Sequence, residues 1–133
     1  MIVVDTNVIA YLLLDSEFTQ LSQRVFLQDS QWNAPLLWRS EFRNVLGLYL
    51  RRNRLSLGES LEVMQKAEQL MQGKEYQVAS DHVLHLAAAS RCSAYDCEFV
   101  ALAQDLSLPM VTFDRAVLAA FPSTAISPYT FGQ

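Results

Sequence analysis

Met1-Ile2-Val3-Val4-Asp5-Thr6-Asn7-Val8 opens the chain: an apolar run that ends in a carboxylate and passes at once into a helical pattern. A short continuous apolar run of this kind reads as a strand buried on both faces, as in a parallel sheet covered by helices. Asp5 then falls at the carboxyl end of the strand, the edge on which open α/β sheets place their ligand crevices. The rest of the chain is read for residues that could join it there.

A second stretch repeats the pattern. Leu108-Pro109-Met110-Val111-Thr112-Phe113 is a buried strand followed by Asp114. Parallel strands of one sheet end on the same edge, so Asp5 and Asp114 are expected to share a crevice. Between them, strands alternate with helices. Thr6 is expected to cap a helix through Leu14, and Asp15-Ser16 breaks it before a second helix over Glu17 to Ser30. Trp32-Asn33-Ala34-Pro35 reads as a brief strand closed by proline. Leu36 to Arg52 reads as a helix, with Phe42, Val45, Leu46, Tyr49 and Leu50 at core-facing spacing. Ser56-Leu57-Gly58-Glu59 has the form of a capping box for a helix to about Gln72, with Gly73 as its stop. Tyr76-Gln77-Val78 is a weak strand. Ser80 is expected to cap a helix to Ser90, and Ser93 another over Ala94 to Leu106. A short helix (Arg115 to Ala120) and a strand at Ala125-Ile126 finish the chain. This alternation predicts one α/β domain over residues 1–133, three-layered, with a central parallel β-sheet flanked by helices.

Composition narrows the function. The chain has 133 residues, half of them apolar, enough for a core without disulfide or metal staples. No apolar run approaches the ~20 residues needed to span a bilayer, and no basic and apolar leader pattern stands at the N-terminus. Cys92 and Cys97 read as reduced thiols, so a cytoplasmic location is expected. A net charge of −4 argues against nucleic-acid binding through bulk charge and makes any such site local.

Two more acids join the two strand-end aspartates. Asp96 lies in the first turn of its helix with Phe99, Val100 and Ala103 at i+3, i+4 and i+7, which turns it toward the sheet. Glu41 stands in an early turn beside the Phe42 stripe, with Val45 and Leu48 on its own side. Any one of these acids also suits a helix cap or turn. Four at corresponding element ends favour a common site. Like charges ~4 Å apart repel by a few kcal/mol in a partly buried site, and no Lys or His adjoins them in sequence. Hard oxygen ligands suit Mg²⁺ or Mn²⁺. Such a site can deprotonate a bound water and stabilise the charge that develops on a phosphodiester under in-line attack.

These features resemble the PIN-domain family, and most closely its VapC-like toxins of prokaryotic toxin–antitoxin pairs. The resemblance runs through Ile2-Val3-Val4-Asp5-Thr6-Asn7, Ser40-Glu41-Phe42-Arg43-Asn44-Val45-Leu46, Tyr95-Asp96-Cys97-Glu98-Phe99-Val100-Ala101-Leu102-Ala103 and Leu108 to Asp114. It implies a PIN-like fold, a Mg²⁺- or Mn²⁺-dependent endoribonuclease, a homodimer, and an antitoxin that blocks the site. By the same match Asp5, Glu41, Asp96 and Asp114 are the catalytic metal ligands, with Thr6, Asn7 and Thr112 supporting them. Many relatives carry a further acid just after the last one. Arg115-Ala116-Val117-Leu118 supplies none here, which points to a single resting metal.

Arg39, Arg43, Arg51, Arg52 and Arg54 concentrate positive charge in and after the helix that carries Glu41, a short basic path for RNA phosphates. Arg39 and Arg43 are the better candidates because they share Glu41's turn. Arg115 beside Asp114 could also reach a phosphate, although a surface role suits it better. The alternative is a solvated helix face. His82 and His85 lack the further ligands zinc requires. Cys97 reads as a small hydrophobe and not a nucleophile, since no histidine neighbours it. Trp32, Trp38 and Tyr49 could stack on bases, but core or dimer-interface packing is the expectation for all three. Two rival functions stand beside the ribonuclease. One is a phosphohydrolase with Asp5 as nucleophile, weakened by Asn7 where a second acid is wanted. The other is a catalytically inactive PIN-like module that binds RNA or a protein.

Overall fold

The computed structural model describes Met1–Gln133. Five strands and seven helices alternate in the order β1 (Ile2–Val4), α1 (Thr6–Leu13), α2 (Thr19–Gln28), β2 (Trp32–Pro35), α3 (Leu37–Arg51), α4 (Leu57–Met71), β3 (Glu75–Tyr76), α5 (Ser80–Ala88), α6 (Ala94–Leu106), β4 (Met110–Val111), α7 (Arg115–Ala120) and β5 (Ala125–Ile126). The strands form one parallel sheet in the order β3-β2-β1-β4-β5. This is the α/β architecture expected from the alternating pattern.

The opening stretch takes the central place. Val3 pairs with Asn33 of β2 on one side and with Met110 of β4 on the other. Ile2, Val3 and Val4 are all buried, as a strand covered on both faces requires. The chain leaves β1 toward β2 and returns on its other flank as β4, so strand order reverses between β1 and β4. In open α/β sheets that switch point opens a crevice at the carboxyl ends of the strands. The Asp5 N–H donates to the Val111 carbonyl at 3.0 Å, which holds Asp5 at that opening. α6 packs against β1, β2 and β4 and carries α5 on itself, while α1 packs with α2 and α3. Trp32, Trp38, Phe42 and Phe99 fill the main core, which gives both tryptophans the packing role expected of them. Cys97 is buried with Val83 and Ala101 in a small satellite cluster.

Local chemistry corrects several boundaries. The cap of α1 is Asp5 and not Thr6: Asp5 is extended (φ −71°, ψ 156°) and its own carboxylate accepts the Thr6 N–H. α2 begins at Thr19, whose hydroxyl accepts the Ser16 N–H, and not at Glu17. It stops before Asp29, whose carboxylate is taken by the N-terminal ammonium at 2.7 Å and by the Gln31 N–H at 2.9 Å. Ser80 starts α5 without capping it; Ala79 holds the cap position and makes no side-chain bond. The expected six-residue strand at 108–113 pairs only over Met110–Val111. Pro109 has no N–H to give, and the Phe113 N–H turns to Asn7 Oδ1. The capping box at Ser56 and Glu59 forms in both halves, Gly73 ends α4 at φ +77°, and Ser93 caps α6.

Candidate metal centre at the carboxyl edge of the sheet

Asp5, Glu41, Asp96 and Asp114 all line one crevice of ≈ 420 Å³ at the switch point. They arrive from four elements: the end of β1, the second turn of α3, the first turn of α6 and the cap of α7. Thr6, Asn7 and Asn44 supply the other polar lining, and no Lys, Arg or His is among the lining residues.

Two threonines hold the acids in place. Asp5 is buried, with Oδ1 accepting the Thr6 N–H at 2.8 Å and Oδ2 accepting the Thr112 hydroxyl at 2.7 Å. The Thr112 oxygen in turn accepts the Asp114 N–H at 3.0 Å, so one side chain ties both strand-end aspartates together. The Thr6 hydroxyl donates to Glu41 Oε1 at 2.6 Å and links α1 to α3. Asn7 reaches the turn before Asp114 through the Phe113 N–H, at 3.4 Å. Asp114 Oδ1 caps α7 by accepting the N–H groups of Ala116 and Val117.

The electrostatics follow from burial without a counter-charge. Desolvation pushes the Asp5 carboxyl up to about 7, against the opposing hydrogen bonds from Thr112 and Thr6, and Glu41 and Asp96 push it further the same way. Glu41 is raised by desolvation and then by the charges of Asp96 and Glu98. Asp96 is raised by desolvation and by Asp114. No three acidic, histidine or cysteine side chains are gathered tightly enough to enclose an ion by themselves. The donor set nevertheless fits a hard divalent cation. It is all carboxylate and partly buried, and it is mutually repulsive with no basic residue to relieve it. Mg²⁺ characteristically binds through one or two carboxylates and keeps several waters.

The expected arginines lie elsewhere. Arg39 and Arg43 are each two positions from Glu41, about 200° around the helix, so they cannot share its face. Arg39 is committed to Glu75 through Nε and Nη2, at 2.5 and 2.8 Å, and to Glu68 through Nη1 at 2.8 Å. Arg43 is exposed and donates to the Arg39 carbonyl. Arg115 is exposed beside the crevice and does not line it. His82 faces Asp105 and Gln104, while His85 lies against the Asp81 carbonyl, so the two build no zinc pair.

Sequence reading placed Val45 on Glu41's side of α3 but missed the rest of the crevice's apolar lining: Ala10, Tyr11 and Leu14 of the first helical segment, and Tyr49 of α3. The signal was present for Asn44 and Tyr49, which follow Glu41 at i+3 and i+8 on one helical face.

The family model described as the PIN domain matches residues 2–122. No curated relative matches the sequence. Solved structures share its fold, three of them as follows. PAE2754 from Pyrobaculum aerophilum aligns at TM-score 0.74 and 21% identity, over 96% of this chain and 90% of that one. FitAcB from Neisseria gonorrhoeae aligns at TM-score 0.75 and 18% identity, over 98% and 100%. FitAB bound to an IR36 DNA fragment aligns at TM-score 0.70 and 18% identity, over 100% and 99%.

Proposed function

The chain belongs to the PIN domain family, and on that premise we propose that it is a Mg²⁺- or Mn²⁺-dependent endoribonuclease acting as the toxin of a toxin–antitoxin pair. The observation that carries this reading is the convergence of Asp5, Glu41, Asp96 and Asp114 on one crevice that has no basic residue. Those four residues would hold the cation. A divalent ion bound there supplies charge neutralisation at the phosphodiester and an acidified water at neutral pH.

The remaining work belongs to the chain itself. Thr112 and Thr6 orient the carboxylates of Asp5 and Glu41 through their hydroxyl protons. The α7 cap fixes Asp114 through one oxygen and leaves Oδ2 available. Burial of Asp5 against the core shields its own carboxylate from bulk water and strengthens its attraction for a cation. The absence of basic lining makes binding of an anionic substrate conditional on the cation, so the metal-free crevice repels RNA.

An antitoxin partner, a homodimer and a cytoplasmic location complete the reading. Their support is the resemblance to VapC-like toxins, and no helix is long and apolar enough to cross a membrane. The binding-module reading is favoured by one specific observation: no three acids close on a common point. Incubation of structured RNAs with Mn²⁺ separates the two. Cleavage that disappears in EDTA and in Asp5→Asn supports the ribonuclease, and binding without cleavage supports the module.

A further inference from the structure

The proposed chemistry uses the acidic residues of the crevice and leaves its apolar wall without a task. Tyr11 and Tyr49 both line that wall and both are half-buried. Tyr11 is set rigidly: its ring stands edge-on to Phe113, with centroids 5.0 Å apart and planes at 88°, and lies tilted against Phe18 at 4.9 Å. Tyr49 packs on the main core from α3, two turns beyond Glu41. Eight residues of helix rise carry it about 12 Å from the acid, past the reacting phosphate and toward a neighbouring nucleotide. Neither phenol hydroxyl has a hydrogen-bond partner in the protein, and neither is sealed from solvent, since Asn33 Oδ1 is the buried side-chain atom left unpaired. Half-buried tyrosines with open hydroxyls present one apolar and one polar surface to whatever enters.

Charge makes this wall matter. The crevice contains no basic side chain, and Arg39, the arginine nearest Glu41 on its N-terminal side, is held by Glu75 and Glu68. Inside the crevice a nucleic acid therefore meets no cationic side chain, and the exposed Arg43, Arg51, Arg52, Arg54 and Arg115 all lie outside its lining. Once the cation has met one phosphate, further affinity within the crevice has to come from the bases.

We infer that Tyr11 and Tyr49 form a base-stacking subsite for the nucleotide adjoining the scissile phosphate, and that this chain grips its RNA by bases more than by backbone charge. The inference rests on the nuclease reading for the position of that phosphate. Asn44, exposed on the same face of α3 at the crevice, is placed to meet a base edge.

The test is fluorescence anisotropy with end-labelled hepta-adenylate and an abasic heptamer of the same length, in Ca²⁺ in place of Mg²⁺. The parent, Tyr11→Leu, Tyr49→Leu and the two phenylalanine variants are compared at matched folded fraction. The parent is expected to bind hepta-adenylate at least tenfold more tightly than the abasic chain. Each leucine variant is expected to lose about fivefold to a hundredfold in affinity, and each phenylalanine variant to stay within about twofold of the parent. The slope of log affinity against log salt is expected to be shallow, no steeper than about one phosphate contact gives. Equal binding of both heptamers, no loss in either leucine variant, or a slope of three or more contacts overturns the subsite. Cleavage measured alongside keeps the two claims apart. A chain that binds through the tyrosines and cleaves nothing retains the subsite and loses the nuclease reading. A chain that cleaves with unchanged KM in both leucine variants loses the subsite and retains the nuclease.

Discussion

The Thr112 hydroxyl donates to Asp5 Oδ2 at 2.7 Å, joining residues 107 positions apart in sequence. The same oxygen accepts the Asp114 N–H, so a buried hydroxyl is the common anchor of two candidate ligands. Thr112→Val keeps the volume and removes both bonds, leaving a buried carboxylate oxygen and an N–H unsatisfied. Urea unfolding is expected to show a loss of about 1–3 kcal/mol. Thr112→Ser, which keeps the hydroxyl, should lose markedly less. Equal losses for the two variants would show that packing, and not the hydrogen bond, carries the effect.

Burial of Asp5 makes the cation-free fold pH-dependent in an unusual direction. Its carboxyl titrates near 7 when folded and near 3.8 when unfolded, so the folded state holds the extra proton in between. Stability from this group is present below pH 4 and is lost as pH rises toward 7, by about 4 kcal/mol at most. Glu41 and Asp96 act in the same sense. Asp29 and Glu75 are lowered, so their contribution is lost only in acid, below the usual carboxylate range. In EDTA the melting temperature should therefore peak near pH 4 and fall by roughly 5–15 °C by pH 8. Asp5→Asn should flatten that fall and melt higher than the parent at pH 8.

Arg39 ties three elements of the fold together. Its guanidinium bridges α3 to Glu75 on β3 and to Glu68 on α4, and Glu75 also accepts the indole N–H of Trp38. The Arg39 side chain is 37% exposed, so Arg39→Ala should cost only about 1 kcal/mol in urea unfolding. RNA affinity and its salt dependence should be unchanged once unfolded protein is allowed for. A shallower salt slope in Arg39→Ala would restore it as a phosphate contact.

The opening strand, the parallel sheet and the four acids were legible because each depends on local pattern. An apolar run that meets an acid, and acids at i−3 and i−4 from buried positions, survive without tertiary knowledge. What escaped depends on groups distant in sequence. Thr6 looked like a cap because threonine at a helix start usually is one; its hydroxyl instead serves Glu41, 35 residues on, and Asp5 caps the helix itself. Arg39 looked like a neighbour of Glu41 because the two are close in sequence, and helix geometry with Glu75 decided otherwise. Tyr49 was assigned to packing on its core-facing period, yet its place at the crevice depends on how α3 sits beside α1.

Ser93 tests whether the acids are pre-positioned. Its hydroxyl accepts the Asp96 N–H at 3.1 Å and starts α6 one turn before the crevice. Ser93→Ala should cost about 1 kcal/mol of stability and weaken cation binding by less than removal of the Asp96 carboxylate does. Ser93→Asp, which preserves a cap, should recover the stability.

The proposed cation centre is tested most directly by calorimetric titration of Mn²⁺ into metal-free protein, with Asp96→Asn measured under the same conditions. It predicts micromolar-to-millimolar binding in the parent, saturating at one ion, with a melting temperature that rises as the site fills. The variant should show that binding abolished or weakened by at least tenfold while remaining folded. Equal binding in parent and variant, or none in either, would contradict a cation centre built from Asp5, Glu41, Asp96 and Asp114.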